Sequence, residues 1–150
     1  QLNDLVARIM HRYGFGEVPF ISTVQSSDGD TQADDETSLD RRRIERILLN
    51  LLENARDHAN GAIRVTLESD GKHFTLAVHD AGPGVAVSER EHIFDRFARG
   101  TASRNSKGSG LGLAIVSEHA HALHGEAHVE QSPEGGSIFV ISFPKNEHQI

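Results

Sequence analysis

The chain has 150 residues, a length that fits one domain, and 15 basic against 22 acidic side chains leave it a net charge of −7. That balance argues against a surface built to coat nucleic acid, and the lack of cysteine removes disulfides, thiolate metal sites and a cysteine nucleophile while fitting a reducing compartment. No apolar run approaches the roughly 20 residues that span a bilayer, no signal peptide is legible, and a start at Gln1 instead of Met reads as a piece of a longer protein.

In chain order, Leu2, Leu5, Val6, Ile9, Met10 and Tyr13 mark one face of a helix over residues 2–13, ended by Gly14 and Gly16. Residues 19–24 read as a strand. Residues 26–38 are polar, acidic and nearly free of apolar side chains, and read as a mobile surface loop. Residues 40–59 form the strongest predicted helix, with Asp40 as N-cap and Ile44, Ile47, Leu48, Leu51, Leu52 and Ala55 as its buried face; Asn60-Gly61 ends it. Ile63, Val65 and Leu67, then Phe74, Leu76 and Val78, alternate with polar residues about Asp70-Gly71, a hairpin signal. A loop at 80–85, a short helical stretch at 89–97 and a polar segment at 98–109 follow. The last helix covers 111–123 and stops near Gly125; strands at 126–131 and 137–143 flank a turn at 133–136. Helices and strands mix without a regular strand–helix–strand repeat, so the pattern is that of an α+β sandwich and not of a doubly wound sheet.

Four constellations carry chemistry. Asn50, Asn54 and His58 recur every fourth residue and form one stripe along the edge of the apolar helix face, where a cleft rim would lie. An amide oxygen there suits Mg²⁺, which keeps waters and shares its shell with phosphates; helix decoration is the plain alternative. Asp80-Ala81-Gly82-Pro83-Gly84 sets a carboxylate directly after an apolar strand. It could accept from an exocyclic amine while the glycines admit a flat ring, or it could be an ordinary turn. Gly108-Ser109-Gly110-Leu111-Gly112 opens a helix, and its N–H groups and the helix N-terminus suit phosphate. Its spacing is not a dinucleotide fingerprint, no strand precedes it, and the Walker A pattern is absent. Phe94 and Phe97, in Ile93-Phe94-Asp95-Arg96-Phe97, either anchor the core or pin the base of a flap. Arg96, Arg99, Arg104 and Lys107 make that flap basic, for polyphosphate or simply for solvent. His119, His121, His124 and His128 have poor face-sharing for a metal set and read as exposed histidines.

Taken in order, these segments resemble the ATP-binding catalytic domain of two-component sensor histidine kinases, within the GHKL or Bergerat-fold superfamily that includes gyrase B, Hsp90 and MutL. The likeness spans residues 40–144, with residues 2–13 similar to that domain's first helix. Residues 50–58 look like the N box, 80–84 the G1 box, 93–97 the F box and 108–116 the G2 box, while Gly135-Gly136-Ser137 looks like the start of the closing hairpin. The resemblance implies a two-layer α/β sandwich, a mixed sheet of about five strands with about three helices on one face. All of residues 1–150 would be one domain, with a lid at about 98–109.

It further implies ATP and Mg²⁺ as cofactors, with Asn54 the Mg²⁺ ligand and Asn50 and His58 beside the nucleotide. Asp80 would bond the adenine amine, with Gly82 and Gly84 beside the base. Lys107, Gly108, Ser109, Gly110, Leu111 and Gly112 would shape the lid end and meet the phosphates. Asp57 departs from the family, which often carries Lys there, and Arg56, Lys107 or a lid arginine would have to compensate. The implied reaction moves the γ-phosphoryl to a histidine on a separate dimerisation and phosphoacceptor domain, since His11, followed by Arg12-Tyr13-Gly14, does not fit an acceptor and no catalytic residue is certain. The implied partners are that domain and, through the full-length protein, a response regulator, with no nucleic acid and no direct membrane contact. The expected location is the cytoplasm, as part of a membrane-bound sensor. Two alternatives stand beside this: a nucleotide-binding regulatory module without kinase activity, and an anti-sigma-type serine kinase.

Overall fold

The structure is a computed structural model, and it describes residues 2–24, 39–95 and 112–145. Three helices, α1 (Leu2–Arg12), α2 (Leu39–His58) and α3 (Gly112–Ala122), accompany five strands: β1 (Phe20–Ser22), β2 (Ala62–Ser69), β3 (His73–Asp80), β4 (Glu126–Gln131) and β5 (Ser137–Pro144). The strands form one sheet in the order β1-β2-β3-β5-β4, with β1 parallel to β2 and every other pair antiparallel. The mixed two-layer sandwich expected from the sequence is therefore the fold observed.

One core joins the layers. Ile47, Leu48, Leu51, Leu52 and Ala55 of α2 meet Val6 and Ile9 of α1, Val116 and Ala120 of α3, and the inward row of the sheet, Val65, Leu67, Leu76, Val78, Phe139 and Ile141. Each such aliphatic side chain, once removed from water, contributes about 2 kcal/mol, and the helical and two-residue periods of the sequence direct them to the same side. The outer face of the sheet carries Arg64, His79, Ile138 and Glu130 in one register row across β2, β3, β5 and β4, and Thr66, Ala77, Val140 and His128 in the next.

The boundaries shift where backbone geometry decides them. Gly14 takes a left-handed φ of +88° and closes α1 one residue before Tyr13's expected place in it. The strand expected at 19–24 is three residues of ladder, although Val65 N–H still bonds to the Pro19 carbonyl and Thr23 N–H to that of Leu67. Of the helical stretch expected at 89–97, residues 89–95 are described and form turns instead of an α-helix; Arg96 and Phe97 lie outside the described residues. A 3-10 turn at Val87–Glu89 leads instead into successive i→i−3 bonds through His92 and Asp95, because this span lacks the uninterrupted run that i→i−4 bonding needs. The last helix stops near Gly125 as expected, and the left-handed residue after it is His124, with φ +67°. Gly125 is required for a different reason, since a Cβ there would lie 1.9 Å from the Ser142 carbonyl oxygen.

Antiparallel pairing gathers the site. The C-terminal end of β3 at Asp80 lies against the start of β2 at Ala62, and His79 stands opposite Ile138 at the start of β5. Because β2 follows α2 after the left-handed pair Asn60 and Gly61, the end of α2 falls at the same edge.

Candidate functional site

Asp80 is the centre of this edge. It is 2% exposed, and its Oδ1 accepts two backbone hydrogen bonds, from Gly82 N–H at 2.9 Å and Ser137 N–H at 3.0 Å. Two N–H donors on one oxygen fix the carboxylate's rotation and leave Oδ2 without a hydrogen-bond partner among the described residues. Glycines close in around it. A Cβ on Gly136 would sit 2.1 Å from the Asp80 carbonyl oxygen, and a Cβ on Gly82 would sit 2.5 Å from that of Ala59 at the end of α2. Gly84 takes φ +86°, which L side chains rarely adopt, and faces the Gly136 carbonyl. The 80–84 loop is thus pressed on one side against α2 and on the other against the β4–β5 turn.

The stripe on α2 is formed as expected, with Asn50, Asn54 and His58 all half-buried beside the sealed positions Leu51, Leu52 and Ala55. Asn50 donates its amide to the Arg46 carbonyl at 2.7 Å, and its Oδ1 lies 3.4 Å from where a Gly112 Cβ would be. The start of α3 therefore abuts the stripe. His58 Nδ1 is shut off from solvent and has no hydrogen-bond partner among the described residues. A buried polar atom left without a partner costs about 1–3 kcal/mol, so the place is suited to a ligand group.

Asp57 is met by its neighbour: Arg56 Nε lies 3.0 Å from Asp57 Oδ1, and the same guanidinium stands 5.8 Å over the Phe15 ring. Arg56 thus offsets Asp57 directly, on the side toward α1. Phe94 packs on the core with its ring edge-on to Phe139 at 6.3 Å, which is the core-anchor reading of the two the sequence left open. His119 is half-buried, not exposed, at the seam of α2 and α3, with Arg43 Nη1 3.2 Å from its Nδ1; burial and then Arg43 and Arg46 push its pKa below 6.5. His121 and His124 are exposed, and His128 pairs with Glu130 at 2.7 Å.

The structure thus brings Asp80, Gly82 and Gly84 into one pocket edge and places Asn50 against Gly112. The 26–38 loop, the 98–109 lid, and Arg96, Phe97, Arg99, Arg104, Lys107, Gly108, Ser109, Gly110 and Leu111 lie outside the described residues. Sequence reading missed three contributors: Ala59 under Gly82, and Gly136 and Ser137 on Asp80. A glycine pair directly before an apolar strand was the only local signal of the last two, and it names no partner.

The donor set fits a nucleotide. A buried carboxylate with one free oxygen, a glycine-lined approach and an orphaned imidazole nitrogen match a flat base bearing an amine, and amide oxygens at the rim of α2 match a hard cation.

Comparison with known proteins agrees. The family model described as "Histidine kinase-, DNA gyrase B-, and HSP90-like ATPase" matches residues 39–147. The signal transduction histidine-protein kinase AfsQ2 of Streptomyces coelicolor is 42% identical over 109 residues, covering 72% of this chain and 20% of that protein. The sensor protein RstB of Escherichia coli is 43% identical over 109 residues, covering 71% of this chain and 25% of that protein. The solved structure of the mycobacterial sensor histidine kinase MprB superposes with a TM-score of 0.70 at 27% identity, with 95% of each chain covered. The matched region spans a quarter or less of the two curated relatives.

Proposed function

The chain belongs to the histidine kinase-, DNA gyrase B- and HSP90-like ATPases, and from that premise we propose that residues 1–150 are the ATP-binding catalytic domain of a two-component sensor histidine kinase. The observation that carries the reading is Asp80, buried, with Oδ1 committed to backbone N–H groups and Oδ2 free to accept the adenine amine. Guanine would turn a carbonyl oxygen toward the same acceptor, so the site selects adenine. Gly82 and Gly84 make room for the ring. Asn50, His58 and the α3 N-terminus at Gly112 line the way to the phosphates, with Lys107, Gly108, Ser109, Gly110 and Leu111 completing the site.

Asn54 would hold Mg²⁺, which when bound neutralises phosphate charge as the γ-phosphoryl moves. Described side chains at the site include no nucleophile, so the chain's part is to position and to neutralise. The γ-phosphorus forms a bond to an imidazole nitrogen of a histidine on a separate dimerisation and phosphoacceptor domain, and the bond to the bridging oxygen breaks to leave ADP. A response regulator would then be the full-length protein's partner. No helix among the described residues is long and apolar enough to cross a membrane.

Titration with a fluorescent ATP analogue, with GTP as competitor, tests the binding step. Asp80→Asn should weaken ATP binding by about 10- to 100-fold and narrow the gap to GTP, the scale of one hydrogen bond to a charged group. Single-turnover incubation with an isolated acceptor domain tests the transfer: an acid-labile phospho-product is expected. Binding without transfer would replace the kinase reading by that of a nucleotide-binding regulatory module, which Asp57 would favour, and an acid-stable product would point to a serine kinase.

A further inference from the structure

Behind Asp80, on the outer face of the sheet, four side chains from three parts of the chain meet. Arg64 of β2 places Nη2 2.9 Å and 3.1 Å from the two carboxylate oxygens of Glu134, in the turn between β4 and β5. Its Nη1 lies 3.3 Å from His79 Nδ1, and Thr66 Oγ1 lies 3.3 Å from His79 Nε2. An arginine only donates, so His79 Nδ1 is the acceptor and Nε2–H faces Thr66: the imidazole is neutral. Burial first, and Arg64 second, push the His79 pKa below 6.5, in keeping with that assignment.

The sheet order makes this more than a surface pair. Glu134 belongs to the hairpin that feeds β5, while Arg64 belongs to β2, and β3 lies between them. The ion pair therefore reaches across the end of β3, directly over His79 and one residue from Asp80. The turn it holds is the one whose Gly136 backbone abuts the Asp80 carbonyl and whose next N–H, from Ser137, bonds Asp80 Oδ1. Within the turn, Ser132 N–H bonds the Gly136 carbonyl, Gly135 N–H the Ser132 carbonyl, and Glu134 N–H the Ser132 hydroxyl, so a pull on Glu134 is a pull on the whole turn.

We propose that Arg64 and Glu134 are positioning residues for the base site: they latch the 132–136 turn to β2 and so hold the Ser137 N–H on Asp80 Oδ1, keeping Oδ2 aimed at the base. This rests on the adenine-site reading above. Arg64 is 26% and Glu134 55% exposed, so the effect belongs to the modest range of surface pairs and acts through orientation.

Glu134→Ala, Arg64→Leu and Arg64→Lys in the full chain provide the test, with Asp80→Asn as reference. Glu134→Ala and Arg64→Leu should each weaken ATP-analogue binding by about three-fold with GTP affinity unchanged, while Arg64→Lys keeps the wild-type ratio. Equal losses for ATP and GTP, or no loss at all while Asp80→Asn loses affinity, would overturn the latch. Amide exchange at Ser137 in the nucleotide-free protein gives an independent readout: about three-fold faster exchange in Glu134→Ala is expected, and unchanged exchange refutes the proposal. A wild-type chain that binds no ATP would overturn the adenine reading instead, and the Ser137 exchange would still decide the latch.

Discussion

At the proposed base end of the site a sealed carboxylate, Asp80, is held by backbone N–H groups and closed in by glycines. At the proposed phosphate end Asn50 and Asn54 stand half-buried on the rim of α2, Asn50 against the first residue of α3. The base end is made of main chain, and its geometry is inseparable from the pairing of β2, β3 and β5. The proposed phosphate end is made of side chains projecting from the edge of the buried face of α2, not from its core positions. Substitutions at the first should therefore disturb fold and specificity together, and substitutions at the second should disturb ligand alone.

The largest effect is expected from Gly136→Ala. The residue has φ +90°, and the added Cβ would meet the Asp80 carbonyl at 2.1 Å, so strand or turn must move. A loss of about 3 kcal/mol, or roughly 10 °C in Tm, should accompany loss of adenine preference in the fraction that folds. Gly125→Ala sharpens the comparison. Its Cβ would lie 1.9 Å from the Ser142 carbonyl oxygen, near the other end of β5, so it should lose similar stability yet keep the ATP-to-GTP ratio. Thermal unfolding paired with competition titration reads both. An equal loss of ratio in the two variants would mean the base end is no more tightly coupled to specificity than the rest of the sheet.

Asn54→Ala probes the other end. Its loss should reduce nucleotide affinity in Mg²⁺ by about ten-fold, the tenfold-per-1.4 kcal/mol scale of one lost ligand, with no change in chelator and less than about 0.5 kcal/mol change in stability. Affinity that is the same with and without Mg²⁺ in the wild type would remove Asn54 from the metal.

The smallest effect is in pH. His79, among Arg64, Glu134, Glu68 and Asp80, and His119, among Arg43, Arg46 and Glu118, both have pKa values lowered chiefly by burial. Their unfolded forms titrate near 6.5, so below that pH the unfolded chain binds more protons than the native one. The stability is complete above about pH 6.5 and falls as pH drops through and below that value, until the native forms protonate as well. Tm measured from pH 7.5 to 5.5 should decline gently, and His119→Leu should flatten part of the decline. A Tm that rises on acidification contradicts both assignments.

The elements were legible because their periods are strong. The α2 stripe of Ile44, Ile47, Leu48, Leu51 and Leu52, and the alternation of Val65 and Leu67 with polar neighbours, announce a buried face before any partner is known. Where the local signal was weak, the reading drifted. The 89–97 stretch holds Phe94 and Phe97 at helical spacing, yet its described part, through Asp95, makes i→i−3 turns, and Phe94 packs edge-on to Phe139 of β5. After α3 the left-handed residue is His124, while Gly125 lies in close approach to β5, and neither feature has a local signal in the sequence.

For the site, the sequence by itself determined the chemistry on offer: amide oxygens on one helical stripe, a carboxylate after an apolar strand, glycines that leave room. Those follow from residue type and spacing, which are local. Only the tertiary structure decided that Asp80 Oδ1 is occupied and Oδ2 free, that Ala59 and Gly136 press the 80–84 loop from two sides, and that Arg64 reaches Glu134 across β3. Those contacts join residues as many as 70 positions apart. They exist because antiparallel pairing brings the end of one strand to the start of another, and that register is set by the buried faces acting together, not by any one segment.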